Sequence, residues 1–340
     1  MKSLKYLLFL LLILAIGFSI YIAVQPNSFN VTRAKTIKAP AAVIYNNVID
    51  FKNWESWSSW AEADPDMSIT LHEKTNGING SYSWEDKDGI GIMKTVDAVP
   101  NTSINQQMQI EDFPTSDVSW NFKPNEDGST EVTWNISGKD LPFMFKAFAT
   151  VMGGMEKQIA PHYERSLEKL DSIVINSMKA FNVNINGITE YGGGFYLYKT
   201  INATNTNISQ VMGLQYGSIS MFMEQNNISF AGMPFTIYHD MNMENGAVIM
   251  SNAIPVKEKI VITGNSEILC DYQPKMKVLK ATLKGNYTNL GEAWKTTMQY
   301  IDDNNIEQSE HKPFEIYTTD PGQFPNPADW ITEIYIPIKE

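Results

Sequence analysis

The second half of the chain carries an internal repeat, and this repeat constrains the fold more than any other feature of the sequence. The recurring pairs are Met212-Gly213 with Leu290-Gly291, Pro234-Phe235 with Pro313-Phe314, and Ile254-Pro255 with Ile336-Pro337. Their offset grows from 78 to 82 residues, as short loop insertions would produce. Each copy predicts the order strand, helix, strand, strand, so two copies build one sheet backed by two helices. Ligands commonly bind in the kind of groove that forms at such a pseudo-twofold axis.

The N-terminus carries an uncharged apolar run of 19 residues, from Tyr6 to Val24. As a helix this run spans roughly 28 Å, close to the hydrocarbon thickness of a bilayer. A cleaved signal peptide is the alternative, but the segment Ser19–Pro26 has no small-x-small cleavage pattern. We therefore predict an uncleaved single-pass anchor over residues 1–26. Lys2 and Lys5 favour an inside N-terminus, which puts the soluble part on the periplasmic or extracellular side of the cell membrane.

Composition limits the possible partners. The 340-residue chain has a formal net charge of -12 and no basic block, which argues against binding of nucleic acid. Cys270 is the one cysteine, so an intramolecular disulfide is impossible. His72 and His162 are isolated in sequence, and we expect them to be exposed or locally hydrogen-bonded rather than metal ligands. We expect no metal site and no cofactor.

Residues 30–172 predict one soluble domain, with a first strand, short helices, a series of antiparallel strands and a long final helix. The final helix carries an apolar stripe at mostly i+4 spacing. The segments Ile37–Pro40, Val43–Val48, Phe51–Trp60 and Leu141–Phe145 make this region similar to the START-like helix-grip superfamily, in particular the polyketide cyclase/dehydrase-type (SRPBCC) proteins. The resemblance implies a deep apolar cavity for lipids, sterols or polyketide-like molecules, with catalysis in only some members. Trp54 and Trp57 then either pack in the core or stack on a ligand.

Residues 173–186 are rich in Asn and Ser and predict a linker, followed by a second domain over residues 187–340. This second domain resembles the GyrI-like small-molecule-binding domain, the effector-binding domain of AraC- and MerR-type regulators. The resemblance rests on the segments Gly285–Tyr287, Leu290–Trp294, Pro313–Tyr317 and Asp329–Pro337. It implies that the acid corresponding to Glu333 lies among pocket aromatics and pairs with cationic ligands, and that some relatives hydrolyse electrophiles with a Glu/Tyr pair. The regulators' DNA-binding helix-turn-helix has no counterpart here, so transcriptional regulation does not transfer.

The residues themselves also single out Glu333. Ile334, Ile336 and Ile338 alternate with it, so Glu333 and Tyr335 point to the opposite face of the last strand. The first copy of the repeat has Ser251 at the position equivalent to Glu333, so the repeat does not require an acid there. A solvated strand carboxylate is the alternative. Candidate aromatic walls of the pocket are Tyr238, Tyr287, Tyr317 and Trp294, although packing in the core is an equal alternative for each of the three tyrosines.

Together these patterns predict an α+β protein with an N-terminal transmembrane helix, a curved antiparallel sheet around a long helix, and a duplicated effector-binding domain. We expect a membrane-tethered protein that binds or senses an amphipathic or cationic small molecule or a lipid in two pockets. The alternatives are a hydrolase of reactive small molecules that uses Glu333 and a pocket tyrosine, and a scaffold whose pockets are filled by side chains.

Overall fold

The computed structural model describes residues 2–87, 89–204, 206–242, 246–264 and 266–340. The chain forms two compact units, Met1–Ser177 (unit 1) and Met178–Glu340 (unit 2). Unit 1 begins with helix α1 (Lys2–Ala23), whose large apolar side chains are mostly exposed. Within α1, the segment Leu4–Ala23 has a mean hydropathy of 2.6 and is long and apolar enough to cross a membrane.

Unit 1 contains a seven-stranded antiparallel sheet in the order β1-β7-β6-β5-β4-β3-β2. Its strands are β1 (Phe29–Ile37), β2 (Ser68–Leu71), β3 (Ser81–Asp86), β4 (Gly89–Val99), β5 (Ser103–Ile110), β6 (Ser116–Pro124) and β7 (Thr130–Gly138). Buried residues alternate with exposed ones along β6 and β7, as expected of strands with one face in the core.

Five further helices lie within the described residues of unit 1. They are α2 (Ala41–Ile49), α3 (Trp54–Trp57), α4 (Ser59–Ala63), α5 (Phe143–Val151) and α6 (Met155–Ser177), with a 3-10 turn at Phe51–Asn53. The long helix α6 buries an apolar stripe against the sheet, formed by Ile159, Tyr163, Leu167, Leu170 and Val174. This is the predicted helix-grip arrangement.

Unit 2 contains an eight-stranded sheet in the order β12-β9-β11-β10-β14-β15-β13-β8. Its strands are β8 (Asn182–Tyr191), β9 (Gly194–Thr204), β10 (Phe235–Asn242), β11 (Ala247–Val256), β12 (Leu269–Gln273), β13 (Met276–Lys284), β14 (Phe314–Tyr317) and β15 (Ile331–Pro337). The helices are α7 (Ile208–Gln225) and α8 (Leu290–Asp303), with 3-10 turns at Tyr287–Asn289 and Pro327–Asp329. Two copies of strand, helix, strand, strand are therefore present, β9-α7-β10-β11 and β13-α8-β14-β15. The predicted α+β class is confirmed.

The two copies meet at the antiparallel pair of β10 and β14, in the middle of the sheet. Thr236 and Glu315, which occupy equivalent positions in the two copies, are direct partners in this pair. The pseudo-twofold axis therefore passes between these two residues.

The segment predicted as a linker, residues 173–186, is mostly regular structure. Helix α6 continues to Ser177, and strand β8 begins at Asn182 and pairs with β13. Residues 178–181 alone remain between the helix and the strand. Buried apolar residues hold both elements in place. Val174 of α6 is buried, and Ile185 of β8 packs against the core of unit 2. The Asn and Ser residues between them are therefore compatible with a helix and a strand.

Candidate functional site

Three neighbouring strands of unit 2 place a row of polar side chains on the helix-covered face of the sheet. Asn252 of β11 is the partner of Thr236 in β10, and Thr236 is the partner of Glu315 in β14. Directly paired residues share one face of a sheet. On β15 the partner of Glu315 is Ile334, which belongs to the apolar core under α8. The row therefore lies beneath the helices, where all three polar side chains are buried.

The Glu315 carboxylate is the centre of this site. The residue is 1% exposed, and its carboxylate accepts hydrogen bonds from three neutral side chains. Tyr238 and Tyr317 donate their hydroxyls to Oε2 at 2.9 and 2.7 Å, and the indole N–H of Trp294 donates to Oε1. Burial raises the pKa of Glu315, and the three hydrogen bonds offset only part of that rise. Among the described residues, no ion pair includes Glu315.

A chain of hydrogen bonds leads from this carboxylate across the sheet. The Thr236 hydroxyl lies 3.3 Å from the Tyr317 hydroxyl and 2.8 Å from the Tyr216 hydroxyl. Thr236 donates to Asn252 Oδ1 at 2.7 Å, and the Asn252 amide donates to Gln215 Oε1 at 2.6 Å. Gln215 also lines a surface depression of ≈ 460 Å³ between β9 and α7. The network thus ends at Gln215, which is itself buried and borders this depression.

The site has the symmetry of the repeat but not its chemistry. Tyr216 of α7 and Trp294 of α8 are equivalent at the 78-residue offset, and each hydrogen-bonds the central residue of its own copy. Tyr238 and Tyr317 are likewise equivalent, yet both donate to Glu315. The difference arises because the second copy has a carboxylate where the first has a hydroxyl.

Four of the predicted aromatic residues converge on Glu315. Tyr238, Tyr317 and Trp294 contact it directly, and the Tyr287 ring lies 5.6 Å from the Tyr317 ring, edge to face. Burial, with a smaller contribution from the Glu315 charge, raises the pKa of Tyr287 to about 12. These four aromatics form one cluster around a carboxylate other than the one singled out from the sequence.

Glu333 and Tyr335 lie on the opposite face of the sheet. Lys280 of the neighbouring strand forms an ion pair with Glu333 at 2.7 Å, and the Tyr335 hydroxyl donates to the other carboxylate oxygen at 2.6 Å. The Tyr335 ring stacks on Phe314 with 5.0 Å between ring centroids. The charge of Glu333 is therefore already balanced by a lysine of the same sheet.

Sequence reasoning missed Glu315, although the repeat carries the signal. Pro234-Phe-Thr-Ile-Tyr238 in the first copy becomes Pro313-Phe-Glu-Ile-Tyr317 in the second, so an acid replaces a threonine within a matched motif. Glu333 likewise replaces Ser251. The two substitutions differ in whether the acid faces the helices, and that depends on the register of β14 and β15.

Trp54 and Trp57, the candidate ligand-stacking residues of unit 1, lie in a packed aromatic core. Trp57 is 0% exposed and meets the rings of Trp120 and Trp134 edge to face, at 5.9 Å in both cases. Trp134 stacks on Tyr163 of α6 at 3.6 Å. These rings occupy the space between sheet and helix in which the family resemblance implies a cavity.

The aromatic core of unit 1 is incompletely hydrogen-bonded. Trp54 donates to the Val48 carbonyl at 2.7 Å and Trp120 to Gln106 Oε1 at 3.2 Å. The indole nitrogens of Trp57 and Trp134 have no hydrogen-bond partner in the part of the chain that the structure describes.

Each histidine of unit 1 hydrogen-bonds to a serine hydroxyl, which is close in sequence for His72 and 103 residues away for His162. His162 Nδ1 lies 2.9 Å from the Ser59 hydroxyl, and His72 Nδ1 lies 2.8 Å from Ser81. Burial lowers the pKa of His162, whose ring stacks on Trp60. Over the described ranges, no group of three His, Cys, Asp or Glu side chains could hold a metal ion.

Several solved structures show distant similarity to the chain. An EcmrR–DNA complex solved by cryo-EM is 17% identical over 58% of this chain and 72% of its own, with a TM-score of 0.42. The EcmrR C-terminal domain is 18% identical over 47% of this chain and 98% of its own, with a TM-score of 0.40. Protein Ms6760 from Mycobacterium smegmatis is 16% identical over 42% of this chain and 89% of its own, with a TM-score of 0.32. No curated protein matches the chain.

Two family profiles match the chain, one in each unit. Residues 28–174 match the family described as polyketide cyclase / dehydrase and lipid transport. Residues 204–339 match the GyrI-like small molecule binding domain. Both families are binding domains for small molecules or lipids. Unit 1 of the chain therefore matches the polyketide cyclase / dehydrase and lipid transport family, and unit 2 matches the GyrI-like small molecule binding domain.

Proposed function

We propose that this protein is a membrane-tethered small-molecule-binding protein, and that unit 2 binds cationic or hydrogen-bond-donating ligands at Glu315. One observation carries the proposal. The Glu315 carboxylate is 1% exposed and is held by three neutral donors, without a cation among the described residues.

A buried carboxylate without a counter-charge loses most of its hydration energy, and neutral hydrogen bonds replace only part of it. A cationic ligand restores the missing attraction. Glu333 lacks this property because Lys280 already forms an ion pair with it. These contrasts favour Glu315 over Glu333 as the acid that selects the ligand.

Access to Glu315 requires movement, because the carboxylate is covered by Trp294 and the tyrosines. The ligand therefore selects a form in which some of these side chains have moved, and the cost of reaching that form lowers the apparent affinity. The hydrogen-bond chain through Thr236 and Asn252 to Gln215 supports a path from the depression between β9 and α7.

Calorimetric titration with tetraphenylphosphonium, a lipophilic aromatic cation, tests the proposal. We expect Glu315→Gln to weaken binding by about 10- to 100-fold, the loss of one hydrogen-bonded charge interaction. Glu333→Gln is the matched control and should leave the affinity within about twofold. Neutral triphenylphosphine oxide should bind both variants and the wild type alike. A loss of affinity in Glu333→Gln alone would identify Glu333 as the ligand-binding acid. A wild type that binds no cation would refute the proposal.

The membrane tether is a separate part of the proposal and has a separate test. Helix α1 supports it by length and hydropathy. We expect the full-length protein to stay in the membrane pellet after a carbonate wash, and a shortened chain beginning at Asn27 to be soluble. Recovery of the full-length chain in the supernatant would contradict the tether but leave the ligand site of unit 2 untouched.

A second ligand pocket, in unit 1, stays a prediction. The tight aromatic packing of unit 1 sets a condition for ligand binding there. A ligand there has to displace rings such as Trp57 and Trp134. Because their indole N–H groups lack partners within the described residues, a ligand that carries an acceptor oxygen would gain hydrogen bonds on entering.

The hydrolase alternative has one favourable observation, the short hydrogen bonds that pair Glu333 with Tyr335 and Glu315 with Tyr317. In such a pair the carboxylate would activate water as a general base. Turnover of an activated aryl ester, followed with the Glu333→Gln and Glu315→Gln variants, tests it. Turnover that is lost in one variant and kept in the other would assign the base, and absence of turnover in the wild type would exclude ester hydrolysis.

A further inference from the structure

The short helix α5 of unit 1 exposes an apolar face that the binding proposals do not use. Met144 is 69% exposed, Phe148 49% and Val151 70%. These positions, followed by the exposed Met152, have the spacing i, i+4, i+7, i+8 and therefore lie on one side of the helix. Helix α5 contains no acidic residue. Such a continuous apolar face on a short helix is typical of contact with a partner or a lipid surface.

The opposite side of α5 is fixed to the fold, so the exposed face has a defined direction. The Phe145 ring stacks on Phe29 of β1 at 5.9 Å and meets Phe113 edge to face at 5.4 Å. Lys146, also on α5, is buried.

Lys146 connects α5 to the end of the membrane-spanning candidate. Its ammonium donates hydrogen bonds to the carbonyls of Ala23 at 2.8 Å and Gln25 at 3.2 Å, and to Asn27 Oδ1 at 3.0 Å. The last carbonyls of a helix lack partners within the helix, and a cation there is favoured by the helix dipole. Lys146 therefore caps α1 at the residue where its apolar segment ends, Ala23.

This cap fixes the level of α5 relative to a bilayer. If α1 spans the hydrocarbon, its end at Ala23 lies at the boundary between hydrocarbon and headgroups, and Lys146 lies there too. The helix is nine residues long, about 14 Å. Its exposed residues are therefore all within about one helix length of that boundary.

We propose that α5 lies in the headgroup region of the bilayer, with Met144, Phe148, Val151 and Met152 turned into the lipid. The partner is the membrane surface next to α1, because Lys146 holds α5 beside Ala23, where the membrane-spanning candidate ends. This inference rests on the proposed membrane tether. It adds a second lipid contact that holds unit 1 against the bilayer instead of leaving it on a single helix.

Depth-dependent fluorescence quenching in the full-length protein tests this placement. Single-cysteine variants are made on a Cys270→Ser background, labelled with an environment-sensitive fluorophore and reconstituted into phosphatidylcholine–phosphatidylglycerol vesicles. The reporter is Phe148→Cys, the reference for the anchor is Ile13→Cys in α1, and the control is Glu126→Cys in an exposed turn. Spin-labelled lipids that carry the quencher near the headgroup or deep in the acyl chain are compared.

We expect Phe148→Cys to be quenched about twofold or more by the shallow spin label, since interfacial helices bury their apolar face roughly 5–10 Å into the headgroup boundary. Ile13→Cys should respond to the deep label and Glu126→Cys to neither. Because Phe148 is half-exposed, the label leaves the core of unit 1 intact.

Two outcomes would overturn the inference in distinguishable ways. Quenching of Ile13→Cys with Phe148→Cys no different from Glu126→Cys would leave the tether standing and refute the interfacial position of α5. Failure of Ile13→Cys to respond would refute the tether and the position of α5 together. Emission of Phe148→Cys that shifts with protein concentration, but not with lipid quencher, would assign the face to a second copy and refute the lipid contact.

A charge variant gives an independent measurement. Met144→Glu places a carboxylate on the exposed face without touching Phe145 or Lys146. With the reporter moved to Val151→Cys, this variant should reduce shallow quenching to the level of the Glu126→Cys control. Unchanged quenching would contradict the lipid contact. Cooperative thermal unfolding of both proteins checks that the fold is kept.

Discussion

The interiors of the two units are built from similar aromatic residues but differ in what those residues surround. In unit 1, rings such as Trp57, Trp120 and Trp134 pack on one another, and two indole N–H groups find no acceptor within the described chain. In unit 2, the Tyr and Trp donors next to Glu315 all point to a carboxylate. The difference teaches that aromatic content alone does not mark a ligand site. The aromatic cluster of unit 2 differs because it encloses a carboxylate that has no counter-charge among the described residues, and such a group is a candidate for ligand selection.

The largest effect should come from truncation of the packed interior. Trp57→Ala should lower the unfolding free energy of unit 1 by about 3–5 kcal/mol, because it removes a fully buried indole and leaves a cavity. Urea unfolding followed by near-ultraviolet circular dichroism measures it, and Trp60→Ala, at a partly exposed ring, serves as the control. A cost no larger than that of the control would mean that unit 1 has an open cavity, which would remove the contrast between the units.

The charge at the centre of unit 2 should appear as a pH dependence of stability. Burial raises the pKa of Glu315 in the folded state, so between the ordinary value of 4.5 and the raised value the folded form holds a proton that the unfolded form has lost. Stability from this group is therefore lost as pH rises through that window. Glu315→Gln should remove this loss, a difference of about 1–3 kcal/mol at neutral pH.

Chemical denaturation of wild type and Glu315→Gln across a pH series from acid to neutral measures this difference. Glu333→Gln is the control, since that carboxylate forms an ion pair with Lys280 and is not buried alone. A difference in unfolding free energy between wild type and Glu315→Gln that is the same at all pH values would indicate that the folded state does not perturb the titration of Glu315. The electrostatic contrast between the two interiors would then be lost.

A matched pair of tryptophans sharpens the comparison within unit 1. Trp120→Phe removes the donor to Gln106 Oε1, whereas Trp57→Phe removes an N–H that has no partner among the described residues. We expect Trp120→Phe to cost about 1 kcal/mol more than Trp57→Phe, the net worth of one hydrogen bond. Equal costs in equilibrium unfolding would indicate that the Trp57 N–H has an acceptor after all, for example a buried water.

The smallest effect concerns His162. Burial lowers the pKa of this ring in the folded state, so its contribution to stability is lost as pH falls through the ordinary value of 6.5. His162→Gln should remove a few tenths of a kcal/mol of this acid sensitivity, because the ring is partly solvated. Thermal unfolding at mildly acidic and neutral pH measures it, with the exposed His311→Gln as control. An equal response of both variants would show that the environment of His162 leaves its titration unchanged.

Much of the fold follows from local pattern in the sequence. The repeat predicts the two copies in unit 2, and the apolar stripe of α6 predicts the helix that the first sheet grips. Both patterns extend over whole elements, so they predict how those elements pack. The segment 173–186 was harder to assign because Asn and Ser also occur at the end of a helix and in an edge strand, where β8 lies.

The site was only half predictable, and strand register is the reason. Alternation in the last strand correctly separates Glu333 from the isoleucines that pack under α8. Alternation within one strand does not show which strands pair with it, so the sequence did not predict the ion pair of Glu333 with Lys280 on β13. The four aromatic residues were identified from motifs, but their convergence on Glu315 depends on the pairing of β10, β14 and β15. Solvent exposure of α5 likewise follows from tertiary packing rather than composition.

The pairing of Thr236 with Glu315 has a consequence for how a ligand can be oriented. A duplicated domain with two acids at its axis would hold them close enough that only one could ionise readily, and a ligand could bind in two equivalent poses. Under the proposed function, a hydroxyl on one side and a carboxylate on the other give the cationic end of a ligand one place to bind. For such a ligand, we expect the remaining atoms to extend toward the Thr236 side, along Asn252 and Gln215. The two repeat copies thus surround the site, and the exchange of threonine for glutamate at one position makes the site asymmetric.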